Sequence, residues 1–245
     1  MPIPIADAFP PSCLDHLVGN GSTLTLGLDL GTTEGKMSNP TALALIEQLP
    51  AHHLKHLRLA ARFKNARRDI LDGVLIRLLD LVQQRGCRLR TLELDATNER
   101  LTATDIAADP RIAGRVIVRL AVLGTTRTVF GEKVTLKTYI SGLVKTHLED
   151  RRLTLPSDEW VKKDFRQIVM NRGTYDAAVA ADGSHADLFI ATGLALDAFD
   201  QNGQVEATAV SLSSTPTNTV ARTPTEEDES EDAGWISKTL RALGF

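Results

Sequence analysis

The hydrophobic period of the chain changes several times, and each change predicts an element. Leu24–Leu30 is an apolar run interrupted by Asp29 and followed by Gly31, the pattern of a buried strand that ends on a carboxylate. Pro40 opens a second strand over Thr41–Glu47, and Leu57–Phe63 alternates as a third. The period then lengthens. Over Asp69–Arg85 the residues Ile70, Leu71, Val74, Leu75, Leu78, Leu79 and Val82 fall on one helical stripe, which Gly86 stops. Arg88–Leu94 alternates again up to Asp95, and Thr102–Ala108 predicts a short helix opened by Thr102 and Asp105. Val116–Leu123 reads as a fifth strand. Lys133–Asp150 reads as a long helix with Leu136, Ile140, Leu143, Val144 and His147 on one face. Leu153–Pro156 is a short extended piece, Asp158–Val169 is helical, Tyr175–Ala181 is an edge strand, and Ser184–Asp200 is a last helix rich in alanine and leucine.

The order β-β-β-α-β-α-β-α-α predicts a mixed five- to six-stranded sheet, three antiparallel strands and then parallel ones reached through helices. That is the order of the ribonuclease H-like architecture. Residues 1–20 carry four prolines without a period and read as a lead-in to a domain over 21–201. Residues 202–233 turn to Ser, Thr, Pro and acids, a composition expected to act as a flexible linker. Residues 234–245 regain apolar spacing at Ile236, Leu240 and Leu243, as a short amphipathic tail.

Composition adds little except in its charge. The formal net charge is −3, but residues 226–232 (EEDESED) hold six of the 31 acids, leaving 28 basic against 25 acidic residues elsewhere. The predicted domain is therefore mildly basic and compatible with nucleic acid. Cys13 and Cys87 stand far apart, make no metal pattern and fit a reducing compartment. No apolar run approaches membrane-spanning length, and the first residues, MPIPIADAFPP, lack the regions of a signal peptide. The expectation is a cytoplasmic protein.

Three acids occupy matching places: Asp29 in the first strand, Asp95 at the end of the fourth, and Asp187 in the first turn of the last helix. In a ribonuclease H-like sheet the first and fourth strands are neighbours, so their carboxylates converge at one edge, where a crossing helix can add the third. Such a set, without cysteines, is a hard-oxygen site suited to two Mg²⁺ or Mn²⁺ ions. Each acid also has an ordinary reading, since Asp95 could be a turn residue and Ser184 with Asp187 fits a capping box. Asp182 and His185 adjoin the third acid as further candidate ligands, although His185 reads equally as a surface residue and Asp182-Gly183 as a turn. Glu93, opposite Leu92 and Leu94, reads as solvated.

The same first strand admits a phosphate-binding reading. Gly31–Met37 (GTTEGKM) resembles a Walker loop but is one residue short, and Met37 replaces the hydroxyl residue that would hold Mg²⁺. Asp29–Thr33 (DLGTT) resembles the first phosphate motif of the actin, Hsp70 and sugar-kinase superfamily. That superfamily closes two domains on its nucleotide, and one domain of about 180 residues offers only half.

Asp29 in its strand, Arg90–Thr97 (RTLELDAT), Phe130–Lys133 (FGEK), Leu153–Pro156 (LTLP) and above all Asp182–Asp187 (DGSHAD) before the alanine-leucine helix resemble the C-terminal nuclease domain of phage large terminase subunits, most nearly those of Mu-like prophages. The likeness covers about residues 21–200. It implies a metal-dependent endonuclease that cuts viral double-stranded DNA during packaging with little sequence preference. It also implies that Asp29, Asp95 and Asp187 bind two divalent ions, Asp29 bridging both. The family's ATPase motor is not among these residues, so the resemblance implies a separate motor or an isolated nuclease part. A portal protein is the implied partner of the tail.

Basic residues supply the expected DNA contact. Residues 52–68 hold Lys55, Arg58, Arg62, Lys64, Arg67 and Arg68 with three histidines and no acid, and Lys133 and Lys137 add to them. An actin-like nucleotide-binding module and a non-catalytic packaging-assembly protein are the competing readings.

Overall fold

Strand β1 (Thr23–Asp29) alternates leucine with small or polar residues, and the alternation decides what lies on each face of the sheet. Leu24, Leu26 and Leu28 point to one side and are buried. Thr25, Gly27 and Asp29 point to the other. The computed structural model describes residues 11–17, 22–31, 39–49, 54–64, 66–171, 174–177 and 185–212. Its main unit spans Met1–Gln204; in the second, Val205–Phe245, the described residues are the end of the last helix.

β2 (Thr41–Gln48) and β3 (Lys55–Phe63) follow β1 as an antiparallel meander. Helix α1 (Arg68–Gln84) crosses to β4 (Arg88–Asp95), which lies parallel to β1. Helices α2 (Arg100–Ala108) and α3 (Pro110–Ala113) lead to β5 (Ile117–Ala121), parallel to β4. β6 (Thr126–Val129) and β7 (Glu132–Thr135) form a separate hairpin before α4 (Leu136–Glu149). β8 (Leu153–Thr154) joins β3 in parallel, completing a six-stranded sheet of order β5-β4-β1-β2-β3-β8. Helix α5 (Glu159–Phe165), the ribbon of β9 (Ile168–Asn171) and β10 (Thr174–Ala177), and the long α6 (Asp187–Leu212) complete the described chain. This is the ribonuclease H-like arrangement, antiparallel strands followed by parallel ones. Among the described residues no helix is long and apolar enough to cross a membrane.

Two apolar layers cover the sheet. The leucines of β1, Leu43, Leu45, Leu92 and Leu94 pack against the α1 stripe and against Ala103, Ile106 and Ile112. Leu14 and Leu17, in the lead-in, join this layer. On the other face Ala42, Ala44 and Ile46 meet Ile140, Val144 and the apolar side of α6. Thr25 and Gly27 of β1 and Ala42 and Ala44 of β2, on the α6 face, are small, so that helix lies close. Thr25 Oγ1 donates to the Ala195 carbonyl at 2.7 Å, and a Cβ at Gly27 would overlap the Ala191 carbonyl oxygen and reach within 2.7 Å of the Ala195 nitrogen.

Several boundaries differ from the sequence expectation for local reasons. The helix expected from Lys133 starts at Leu136, because Phe130 and Gly131, both at positive φ (50° and 85°), make a tight turn that pairs β6 with β7. Thr135 then caps α4, accepting the Thr138 N–H at 3.2 Å. Helix α2 begins at Arg100, so Thr102 lies inside it rather than capping it. Helix α5 is capped by Asp158 and ends at Phe165, where the expected helix continued to Val169; Ile168 already pairs with Ala177. β10 belongs to its own ribbon, and the expected strand beyond Ala177 lies outside the described residues. Helix α6 continues to Leu212, past the expected end at Asp200. The predicted tail 234–245 lies outside the described residues.

Gly27 of β1 and Gly142 of α4 should respond oppositely to alanine. Gly27→Ala is expected to cost about 3 kcal/mol or more by overpacking α6 against β1. Gly142→Ala, in α4 with open space around its Cβ, should add about 0.5–1 kcal/mol. Urea denaturation of the two variants checks both signs.

Candidate functional site

The site is built from two strand ends and one helix start. Asp29 closes β1 and Asp95 closes β4, and the parallel register pairs Leu28 with Leu94 just before them. Both carboxylates therefore leave the sheet at one edge, on the α6 face. Helix α6 runs back along β1, with Ala195 against Thr25 and Ala191 against Gly27. One turn earlier on the helix, Asp187 comes over the Asp29 end.

Electrostatics register the convergence. Part of Asp29 meets solvent, but the protein packed round the rest desolvates its carboxyl and raises its pKa well above the ordinary range; the charges of Asp95, Asp187 and Asp164 add to the rise, as does a hydrogen bond with Asp95. Asp95, almost fully buried, is raised by burial against the opposing effect of Thr97. The Thr97 N–H donates to its Oδ1 at 2.8 Å, and the Thr97 hydroxyl donates to the same oxygen. The Leu123 N–H in turn donates to Thr97 Oγ1 at 2.9 Å, tying the end of β4 to the turn after β5. Asp187, buried to 3 % exposure, is likewise raised by burial, while the His185 backbone N–H (3.3 Å), the His185 side chain and Arg62 pull it down.

The sequence reading missed Asp164. It sits on α5, buried, and accepts the N–H groups of Phe189 (2.9 Å) and Leu188 (3.4 Å). Burial raises its carboxyl to about 6 against those two bonds, and the Asp187 charge contributes. The available signal was helical spacing: Val161 and Phe165 flank it on the apolar side of a short helix, an unusual place for an acid.

The arrangement is four carboxylates coupled at one sheet edge, with Arg62 acting on two of them from β3. In the described residues no group of three His, Cys, Asp or Glu already encloses a point where an ion would sit. Without an ion, Asp29 shares a hydrogen bond with Asp95, and Asp164 is directed to backbone N–H groups. The donor set itself, oxygen-only and mutually repelling, fits a hard divalent cation.

Other candidates fall elsewhere. His185 is half-buried beside Asp187, and Asp182 lies outside the described residues, as do Thr32 and Thr33. Glu93 is not solvated, as alternation suggested; it faces α6 at 2 % exposure. Burial lifts it to about 9, and it hydrogen-bonds Asp197, which pairs with Arg127 at 2.6 Å. Gly31 leaves no open space: its N–H donates to Thr41 Oγ1 (3.0 Å), that hydroxyl donates back to its carbonyl (3.1 Å), and a Cβ would overlap the Asn39 carbonyl oxygen.

The basic residues divide. Arg58 pairs with Glu47 at 2.7 Å, Arg67 with Asp69, Arg68 with Asp72 and Asp105, and Lys137 with Asp176 at 3.6 Å. Lys55 is buried against His147 Nε2 (3.0 Å). Lys64 and Lys133 are exposed, and Arg62 lies over the Trp160 ring at the acidic edge.

The sheet order defines a ribonuclease H-like fold. Among solved structures it is similar to the human cytomegalovirus terminase nuclease domain, at 14% identity and a TM-score of 0.52, over 79% of this chain and 91% of that one. A manganese-soaked, inhibitor-bound form of that viral domain aligns at 13% identity and a TM-score of 0.50, over 78% and 90%. The bacteriophage SPP1 large-terminase nuclease domain with bound manganese aligns over 72% and 86%, at 13% identity and a TM-score of 0.42. No family model matches the sequence, and no curated protein matches it. The chain thus has the fold of the terminase nuclease domains.

Because these carboxyls hold protons more tightly folded than unfolded, the stability they contribute is full below about pH 4. It is lost as pH rises through the folded values, about 6 for Asp164. Asp29→Asn removes the charge that three others oppose, and metal-free protein carrying it should be more stable near pH 7.5 by about 1–2 kcal/mol. The gain should vanish near pH 4. Thermal melts in chelator at the two pH values measure it.

Proposed function

We propose that this chain is a divalent-metal-dependent DNA endonuclease of the terminase type. The observation that carries the reading is the meeting of Asp29, Asp95 and Asp187 at one sheet edge, in the fold of terminase nuclease domains. Manganese in the inhibitor-bound viral domain supports the metal assignment.

Asp29, Asp95 and Asp187 would hold the ions, with Asp29 central because it is coupled to both of the others. Two such ions, when bound, supply an activated water and neutralise the charge that develops on the phosphate and the leaving oxygen. The chain supplies the frame. Thr97 fixes the Asp95 rotamer through two hydrogen bonds to one oxygen. The close seating of α6 on Gly27 sets how far Asp187 stands from Asp29. Arg62, over Trp160 and facing the acids, is placed to draw a DNA phosphate toward an edge that would otherwise repel it. Lys64 and Lys133 extend the contact without reading bases. Packaging of viral DNA, with a separate motor and a portal held by the tail, is the setting the likeness suggests. The nucleotide-binding reading has less support, since the backbone at Gly31 is closed against Asn39 and Thr41.

Supercoiled plasmid with Mn²⁺ tests the proposal. Wild type should nick and linearise it, and chelator should stop the reaction. Asp29→Asn and Asp187→Asn should each lower the rate by about two orders of magnitude or more, exceeding the 10–100-fold typical of groups that only support a ligand. Undiminished cutting by both would remove the assignment. Arg62→Ala should weaken DNA binding and lower the salt slope by about one.

A further inference from the structure

Helix α5 and the turn that ends it place a second set of side chains around Asp187. Ala186 precedes it at φ 59°, fully buried, so the chain enters α6 through a left-handed residue that is not glycine. The Ala186 N–H donates to Gln167 Oε1 at 2.8 Å. The Leu188 and Phe189 N–H groups donate to the two Asp164 oxygens, at 3.4 and 2.9 Å. Gln167 stands three residues after Asp164, in the turn that ends α5. One short helix and its terminal turn therefore hold the backbone on both sides of Asp187. The Phe165 ring meets the Phe189 ring edge-on at 5.4 Å and fixes the two helices together.

We propose that Asp164 and Gln167 are positioning residues that grip the amides of Ala186, Leu188 and Phe189 and so hold the Asp187 carboxylate against Asp29. The inference rests on the nuclease reading for its catalytic consequence but not for the grip itself. A helix start is normally capped from within its own chain segment; here the cap comes from 25 residues earlier. That origin couples the height of Asp187 to the seating of α5. In this scheme Asp164 acts on the amides and not on an ion.

Hydrogen exchange, Mn²⁺ titration followed by electron paramagnetic resonance, and plasmid cleavage together test it. Asp164→Ala should speed exchange at Leu188 and Phe189 by about tenfold, as expected for a lost cap. It should also weaken Mn²⁺ binding by about 10–100-fold, the range for a group that supports a ligand. Asp164→Asn keeps one oxygen acceptor and should restore protection at Phe189, the shorter of the two bonds, with part of the Mn²⁺ affinity. Gln167→Ala should raise exchange at Ala186 alone, and carries the test if Asp164→Ala does not fold. Equal loss of Mn²⁺ affinity in Asp164→Asn and Asp164→Ala, with the Phe189 amide still protected in Asp164→Asn, would make Asp164 a ligand and overturn the proposal. Unchanged exchange in both alanine variants would overturn it as well. A wild type that neither binds Mn²⁺ nor cuts DNA would instead refute the nuclease reading, and the exchange data would still decide the grip.

Discussion

The site depends on how closely a helix can lie on a strand. Gly27 is in the middle of β1, where a glycine normally weakens a sheet, yet any side chain there would collide with the α6 backbone at Ala191. The alanines of α6 and of β2 extend the same shallow surface, and Thr25 fastens it with a hydrogen bond to Ala195. Asp29 lies two residues beyond Gly27 and Asp187 one turn before Ala191. Their meeting is thus a by-product of tight apolar packing, and the unfavourable gathering of acids is sustained by the core behind it.

The acids on this face play different parts although they belong to the same elements. At the sheet edge, Asp29, Asp95 and Asp187 face one another with Asp164 behind, and burial and mutual repulsion raise them. Farther along the same helix and strand, Asp197 and Glu93 share a hydrogen bond, and Arg127 reaches in from the β6–β7 hairpin while stacking on Tyr139. The second group brings its own cation within the chain and is a structural contact between hairpin, helix and sheet. The first group fits a cation from outside.

Much of this was legible in the sequence. Period-2 stretches marked the strands, the leucine stripe marked α1, and the placement of Asp29, Asp95 and Asp187 on elements that become neighbours pointed to their convergence. What escaped depended on contacts between distant segments. Glu93 alternates like a solvated residue, and only the return of α6 over β4 buries it. Asp164 looks like one more charge on a short helix until Leu188 and Phe189 arrive to donate to it. Gly31 reads as room for a phosphate, whereas the returning chain at Asn39 fills that room. Most of β7 falls within the expected helix from Lys133, because its pairing with β6 across the Phe130–Gly131 turn shows only in the folded chain.

The Thr25–Ala195 hydrogen bond joins residues 170 positions apart, and that span has a consequence in time. Strands β1 and β4 can pair once the first half of the chain exists, bringing together two of the three edge acids. The third arrives on the final helix, along with the amides that Asp164 accepts. Contacts between such distant segments close late, because a long stretch of chain must be ordered before they form. A ribosome-bound or truncated chain therefore lacks the third edge carboxylate, and the acids meet as a set only once synthesis has passed α6.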